Sequence, residues 1–247
     1  MESLLEVEVT PCRLLERVNR FTVEIIVDGR RELAHLTNTG RLTGILVSGR
    51  ECLIQRINGK KMKYRVIGVR IGGEYALIDT VLQSRAFEIL VERQLLPFLQ
   101  GCRIRLRSPR VEGSVFDYLV ECTWSTSYLV ELKSAVMVGP NLEALYPDCP
   151  TERGRRHIKT LMKMAREKTR IRPMIVMVAA FKGASCFKPS RQGDPVVFSL
   201  LSSWILEKLD LNAFSLYLNR EGSILLEKPS LPLCREWLLE AGFVSSS

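Results

Sequence analysis

The sequence predicts a two-domain α+β protein in which a small antiparallel β-barrel, residues 1–82, precedes an α/β domain, residues 83–247. Three observations predict it. Up to about Asp79 the chain runs in short Val-, Ile- and Leu-rich stretches separated by the dipeptides Asp28-Gly29, Asn58-Gly59 and Gly72-Gly73, which supply the positive φ angles of tight hairpins. After Thr80, strand-like stretches alternate with segments of helical spacing, the pattern of helices packed on a sheet. The most apolar run, Met174 to Phe181, reads as a central strand buried on both faces.

In the first domain, Phe21 to Val27 and Glu32 to Leu36 alternate apolar and polar residues around Asp28-Gly29, as in a half-exposed antiparallel pair. Five or six such strands in roughly 75 residues fit an OB-like barrel. In the second domain, Ala86, Ile89, Leu90, Leu95 and Leu96 sit at helical spacing, so residues 84–96 read as a helix stopped by Pro97. Strands are expected at 102–108, 116–122 and 127–133, followed by a loop around Pro147 and Pro150 and a basic helix opening at Thr151. A helix from Pro195 to Leu209, a strand at 213–218 and a short strand and helix complete the chain.

The 36 Lys and Arg against 27 Asp and Glu leave a net charge of +9, which favours polyanionic partners. The start of the chain, Met1 to Glu6, carries acids where a signal peptide has a basic segment. The apolar run 174–181 is less than half of the roughly 18 residues that a membrane helix needs. A soluble, cytoplasmic protein without a membrane partner is therefore expected. The seven cysteines are odd in number and scattered, at 12, 52, 102, 122, 149, 186 and 234, and predict reduced, mostly buried thiols. Two histidines leave little material for a metal–imidazole cluster or a Ser-His-Asp triad. Neither a G-x-x-x-x-G-K-S/T loop nor a G-x-G-x-x-G turn is present, which argues against nucleotide hydrolysis and dinucleotide binding.

The segment Gly113 to Glu121 and the strand Tyr128 to Ser134 carry the most chemistry. A period of two puts Glu131 and Lys133 on one face with Leu132 on the other, and a hairpin brings Asp117 beside them. Asp117 and Glu131 are thus the expected ligands of a hard divalent cation, Mg²⁺ or Mn²⁺, with Lys133 orienting a water toward a phosphate. The same residues would equally serve as the polar face of an exposed strand. Upstream, Glu88 and Glu92 lie four apart on the 84–96 helix, and Glu88 is the candidate additional catalytic acid. An acid-bearing helix, an aspartate, E-x-K and a basic helix follow the αβββαβ order of the PD-(D/E)XK nuclease core.

Between 151 and 172 there are nine basic residues against two acids. Ile158, Leu161, Met162 and Ala165 form a packing stripe. Arg153, Arg155, Arg156, His157 and Lys159 are expected to hold a DNA backbone, although His157 also suits helix packing. The loop Leu36 to Leu42 offers Asn38 and Arg41 for a phosphate or a nucleotide edge, or forms a well-bonded turn.

Over nearly its whole length the chain resembles the sugar fermentation stimulation protein A (SfsA) family. The carrying residues are Asn19-Arg20-Phe21, Ala34-His35-Leu36-x-Asn38-Thr39-Gly40-Arg41-Leu42, Ile78-Asp79-Thr80, Val130-Glu131-Leu132-Lys133-Ser134, Tyr146-Pro147-Asp148-x-Pro150-Thr151-Glu152-Arg153-Gly154-x-x-His157, Phe187-x-Pro189 and Asp194-Pro195. The resemblance implies an OB-like domain followed by a PD-(D/E)XK nuclease-like domain, DNA binding, and a link to the regulation of sugar metabolism. The chain departs from the family pattern G-x-S-R-x-D, with Val115 in place of the arginine. The expected function is DNA binding with a nuclease-like metal site. A non-catalytic DNA-binding regulator and an RNA-binding OB protein are the alternatives. Symmetric nucleases often pair, so a homodimer is one expected arrangement, although no heptad marks a dimer face.

Overall fold

The structure is a computed structural model that describes residues 2–59, 62–123, 126–167 and 169–243. The barrel is made by β2 (Thr10–Asn19), β3 (Thr22–Val27), β4 (Arg30–His35), β5 (Glu51–Arg56) and β6 (Tyr64–Ile71). Their order is β4-β3-β2-β5-β6, and parallel pairing of Ala34 with Tyr64 and of His35 with Arg65 closes the ring into a five-stranded OB-type barrel. The β3–β4 hairpin turns at Asp28 and Gly29 with φ of 50° and 74°, as the dipeptide requires. Of the Asn58-Gly59 connection, residues 60 and 61 lie outside the described residues.

β7 (Glu74–Leu77) extends the barrel sheet to β17 (Asp210–Leu218) through the pair Leu218 and Tyr75. The sheet continues through β15 (Ile171–Ala179), β12 (Ser127–Ser134), β11 (Tyr118–Cys122) and β8 (Cys102–Arg107). β12, β15 and β17 run parallel, and β11 and β8 are antiparallel additions. β1 (Glu2–Glu6) pairs with β18 (Ser223–Lys228), so the first strand of the chain joins the second half of the fold. Short strands β9 (Arg110–Val111) and β10 (Ser114–Val115) form a hairpin, while β13 (Met137–Val138), β14 (Ala144–Tyr146) and β16 (Phe187–Pro189) make a small separate sheet. As its composition predicts, β15 is buried from Pro173 to Ala179.

The first helix, α1 (Thr80–Glu92), begins earlier than the apolar spacing suggests because Asp79 caps it, its carboxylate accepting from the Leu82 amide at 2.7 Å. It also ends before Pro97, with Gln94 at φ 57° and Pro97 opening a single 3₁₀ turn. α2 (Glu152–Arg166) opens at the Thr151 cap and α3 (Pro195–Leu206) at the Asp194 cap; α4 (Arg235–Glu240) is the last described helix. α1 covers one face of the sheet, where Phe87 meets Tyr118 and Phe214 with ring centres at 5.2 and 6.4 Å. Tyr118 pairs with Val130 and so shares that face with Leu132 and Ser134. Glu131 and Lys133 therefore point to the opposite face, where α2 packs. Among the described residues no helix is long and apolar enough to cross a membrane.

The expectation of reduced thiols is corrected. Disulfides join Cys12 to Cys52, Cys102 to Cys122 and Cys186 to Cys234, leaving Cys149 free. Cys12 faces Cys52 across β2 and β5, and Cys102 faces Cys122 across β8 and β11. Strand register, rather than separation along the chain, brings these thiols together.

Candidate metal centre

The sequence dictates the centre through two local rules. The period of β12 aims Glu131 and Lys133 to one side, and the chain leading into β11 delivers Asp117, whose carboxylate accepts from the Leu132 amide at 2.7 Å. Glu131 is buried, its side chain 4% exposed. Its Oε1 accepts from the Lys133 ammonium and lies 2.6 Å from Nδ1 of His157 on α2. Its Oε2 is buried without a hydrogen-bond partner. A buried carboxylate oxygen left bare is costly in a folded protein, and a cation is the partner that a second nearby carboxylate, Asp117, would share with it.

The electrostatics agree with this geometry. Burial pushes the Asp117 carboxyl up, and the neighbouring Glu131 charge adds to it, to about 7; the exposed Arg153 and the Lys133 ammonium act in the opposite sense. For Glu131, burial is outweighed by Lys133 and His157, which hold it below the usual carboxylate range. Burial is the largest single influence and works against the Lys133 charge, but Glu131, Tyr146 and Asp117 together outweigh it and keep the ammonium above its ordinary value. Two carboxylates thus repel each other over a bare oxygen. Oxygen donors of this kind suit a hard ion such as Mg²⁺ or Mn²⁺. Among the described residues no three His, Cys, Asp or Glu groups converge, so a cation would rest on the two carboxylates, supplemented by a backbone carbonyl and water.

Several predicted residues are elsewhere. Glu88 lies on the α1 face of the sheet, where both its oxygens are taken by Arg107 at 2.7 and 2.9 Å and Oε1 also by the Tyr118 hydroxyl at 3.1 Å. The helix reaches the sheet from the opposite side, so Glu88 does not join the carboxylate pair. His157 is not a surface phosphate contact: it is 1% exposed, packed on Phe116 at 5.0 Å and committed to Glu131. Its position four and seven residues before Leu161 and Met164, both buried, was the signal that it faces inward. Arg155 is held by the fully buried Asp194 at 2.9 Å and by Glu152 at 2.7 Å, so it braces the α2–α3 junction rather than offering a free guanidinium. Asn38 also turns inward, accepting from the Gly40 amide and donating to Ser134 Oγ at 3.4 Å. Arg41, Arg153, Arg156 and Lys159 remain exposed; Lys168 of the basic segment lies outside the described residues. Val115 has Arg110 as its cross-strand partner, so an arginine stands directly beside the departing position.

Sequence reasoning missed the hydrogen-bond chain that ties the barrel to this strand. Gln83 donates to Ser134 Oγ at 2.9 Å and to the Leu77 carbonyl at 2.7 Å, and buried Asp79 meets Arg65 at 3.1 Å and Thr37 at 3.1 Å. These are long-range contacts of small polar side chains that leave no periodic trace.

A family model described as the sugar fermentation stimulation protein RE domain matches residues 81–222, and one described as the SfsA N-terminal OB domain matches residues 15–78. The chain belongs to the SfsA family. The SfsA homologue of Pyrococcus furiosus is 43% identical over 224 residues, covering 90% of this chain and 96% of that one. The homologue of Archaeoglobus fulgidus is 40% identical over 233 residues, covering 93% and 98%. A solved structure described as Pyrococcus furiosus SfsA in complex with Ca²⁺ superimposes with a TM-score of 0.89 at 41% identity, covering 95% of this chain and all of that one. The SfsA architecture, an N-terminal OB domain followed by the family's RE domain, is thus the architecture of this chain.

Proposed function

We propose that this chain binds DNA and hydrolyses its phosphodiester bonds at a divalent-cation site formed by Asp117 and Glu131. The observation that carries the proposal is the bare, buried Oε2 of Glu131, held in place by Lys133 and His157 through the other oxygen. That the Pyrococcus furiosus relative is described in complex with Ca²⁺ supports a divalent cation here.

A cation bound to the two carboxylates would polarise a phosphoryl oxygen and acidify a bound water. The remaining work falls to this chain's own groups. Lys133, fixed by Glu131, presents a permanent positive charge that orients the attacking water and offsets charge gathering on the phosphate. Arg153, exposed beside Asp117, steers the phosphate toward the carboxylates, and Arg156 and Lys159 on α2 extend the cationic surface along the backbone. His157, itself out of reach of substrate, holds the Glu131 carboxylate so that only one of its oxygens is free.

The test is incubation of labelled single- and double-stranded DNA with Mg²⁺ or Mn²⁺, and with EDTA, beside the double variant Glu131→Ala, Lys133→Ala. Cleavage that requires metal and vanishes in the variant is the expected result. Salt-sensitive binding without cleavage under either metal would make the protein a DNA binder that keeps the nuclease fold without its chemistry.

A further inference from the structure

The β2–β3 hairpin turns in two residues, because Asn19 pairs with Thr22 and leaves Arg20 and Phe21 at the tip. Such turns favour Gly, Asn and Asp, and the hairpins at Asp28-Gly29 and Gly72-Gly73 follow that rule. Here an arginine and a phenylalanine occupy the tip, and the turn is held by groups outside it. Asn19 Oδ1 accepts from the Phe21 amide at 2.8 Å. The Arg17 guanidinium donates to the carbonyls of Asn19 at 3.1 Å and Arg20 at 2.9 Å, and also to those of Gly40 at 2.5 Å and Arg41 at 2.6 Å. The Phe21 carbonyl accepts from the Leu36 amide at 2.8 Å. With the backbone fixed in this way, Phe21 stands 49% exposed as a residue, with the Arg20 guanidinium over its ring at 5.7 Å from the centre.

The tip has a defined relation to the metal centre. Arg17 ties it to the loop at Gly40 and Arg41, the Gly40 amide donates to Asn38, and Asn38 donates to Ser134, the residue after Lys133. The same loop is anchored to Asp148 through the Leu42 amide. Arg20 and Arg41 are both exposed, and the carbonyls of both accept from the Arg17 guanidinium, so two positive side chains belong to the same braced tip and loop.

We infer that the Arg20-Phe21 tip is a stacking subsite for an unpaired nucleobase, with Arg20 and Arg41 taking the flanking phosphates, so that the DNA bound by this chain has a single-stranded segment over the barrel. The inference rests on the DNA-binding reading above and adds the substrate class. An exposed aromatic face gains most from a base whose own face is free; in a duplex those faces are already stacked. A stacking ring also tolerates any base, which suits a surface whose other contacts are to phosphates.

Fluorescence anisotropy of a labelled oligothymidylate and of a labelled duplex, in EDTA so that cleavage plays no part, tests the inference on wild type, Phe21→Ala and Phe21→Trp. Phe21→Ala should weaken single-strand binding by roughly 5- to 140-fold and leave duplex binding within about two-fold, while Phe21→Trp restores it. Phe21→Ala with unchanged single-strand affinity, or an equal loss on both DNAs, would overturn the subsite. Wild type that binds only duplex would overturn the subsite alone, and wild type that binds neither DNA would overturn the DNA-binding reading together with it. The exposed position keeps the variants folded, which thermal melting checks.

Discussion

Two carboxylates, Glu88 and Glu131, lie on opposite faces of one sheet, and they are satisfied in opposite ways. On the α1 face, Glu88 has both oxygens occupied by Arg107 and Tyr118, and Arg107 above all holds its carboxyl below the usual range. On the α2 face, Glu131 is more deeply buried yet has one oxygen engaged twice and the other not at all. Glu88 thus forms a closed ion pair, whereas Glu131 is held through one oxygen and left open at the other. Residue type and position do not separate these two acids, but the inventory of their partners does.

This contrast can be broken most directly at the ligands. Asp117→Asn or Glu131→Gln should reduce metal-dependent cleavage to background, measured by single-turnover assays on labelled DNA. Lys133→Ala should lower the same rate by roughly 10²- to 10³-fold with little loss of DNA affinity, and an unchanged rate would remove Lys133 from the chemistry. His157→Leu, which keeps a bulky apolar group beside Phe116, should weaken Mn²⁺ binding by roughly 10- to 100-fold, and His157→Asn, which restores an N–H near Nδ1, should recover part of it. A purely packing role would give the reverse order.

A third carboxylate sharpens the comparison. Glu143 is nearly buried and has its charge paired, with Lys188 at 2.9 Å and the Asn141 amide at 2.7 Å. Against the effect of burial, Lys188 and backbone donors hold its carboxyl down at about 2. A depressed carboxyl contributes stability that is present above its ordinary value of 4.5 and lost as the pH falls toward 2. Glu143→Gln should therefore cost about 2 kcal/mol at neutral pH and flatten the melting temperature between pH 5 and 2.5. Glu88→Gln should have the smallest effect: below about 1 kcal/mol in stability, as for an exposed pair, and no change in cleavage.

What the sequence made legible follows the range of the physics. The tight turns at Asp28-Gly29 and Gly72-Gly73, the buried strand β15 and the shared face of Glu131 and Lys133 depend on neighbours two to four residues apart and were readable. The disulfides, the side of the sheet that α1 covers, the inward turn of Asn38 and the bracing of Arg155 by Asp194 depend on register between distant segments, and local patterns do not encode it. His157 lies between these cases: it falls outside the predicted stripe of Ile158, Leu161, Met162 and Ala165 and suits either helix packing or a phosphate contact, yet its spacing to the buried Leu161 and Met164 points inward.

The most direct measurement is calorimetric titration of Mn²⁺ into the wild type, Glu131→Gln and Glu88→Gln. Binding that is present in the wild type, lost in Glu131→Gln and intact in Glu88→Gln is the predicted result. Binding that survives in Glu131→Gln, or disappears in Glu88→Gln, would contradict the assignment of the cation to the α2 face.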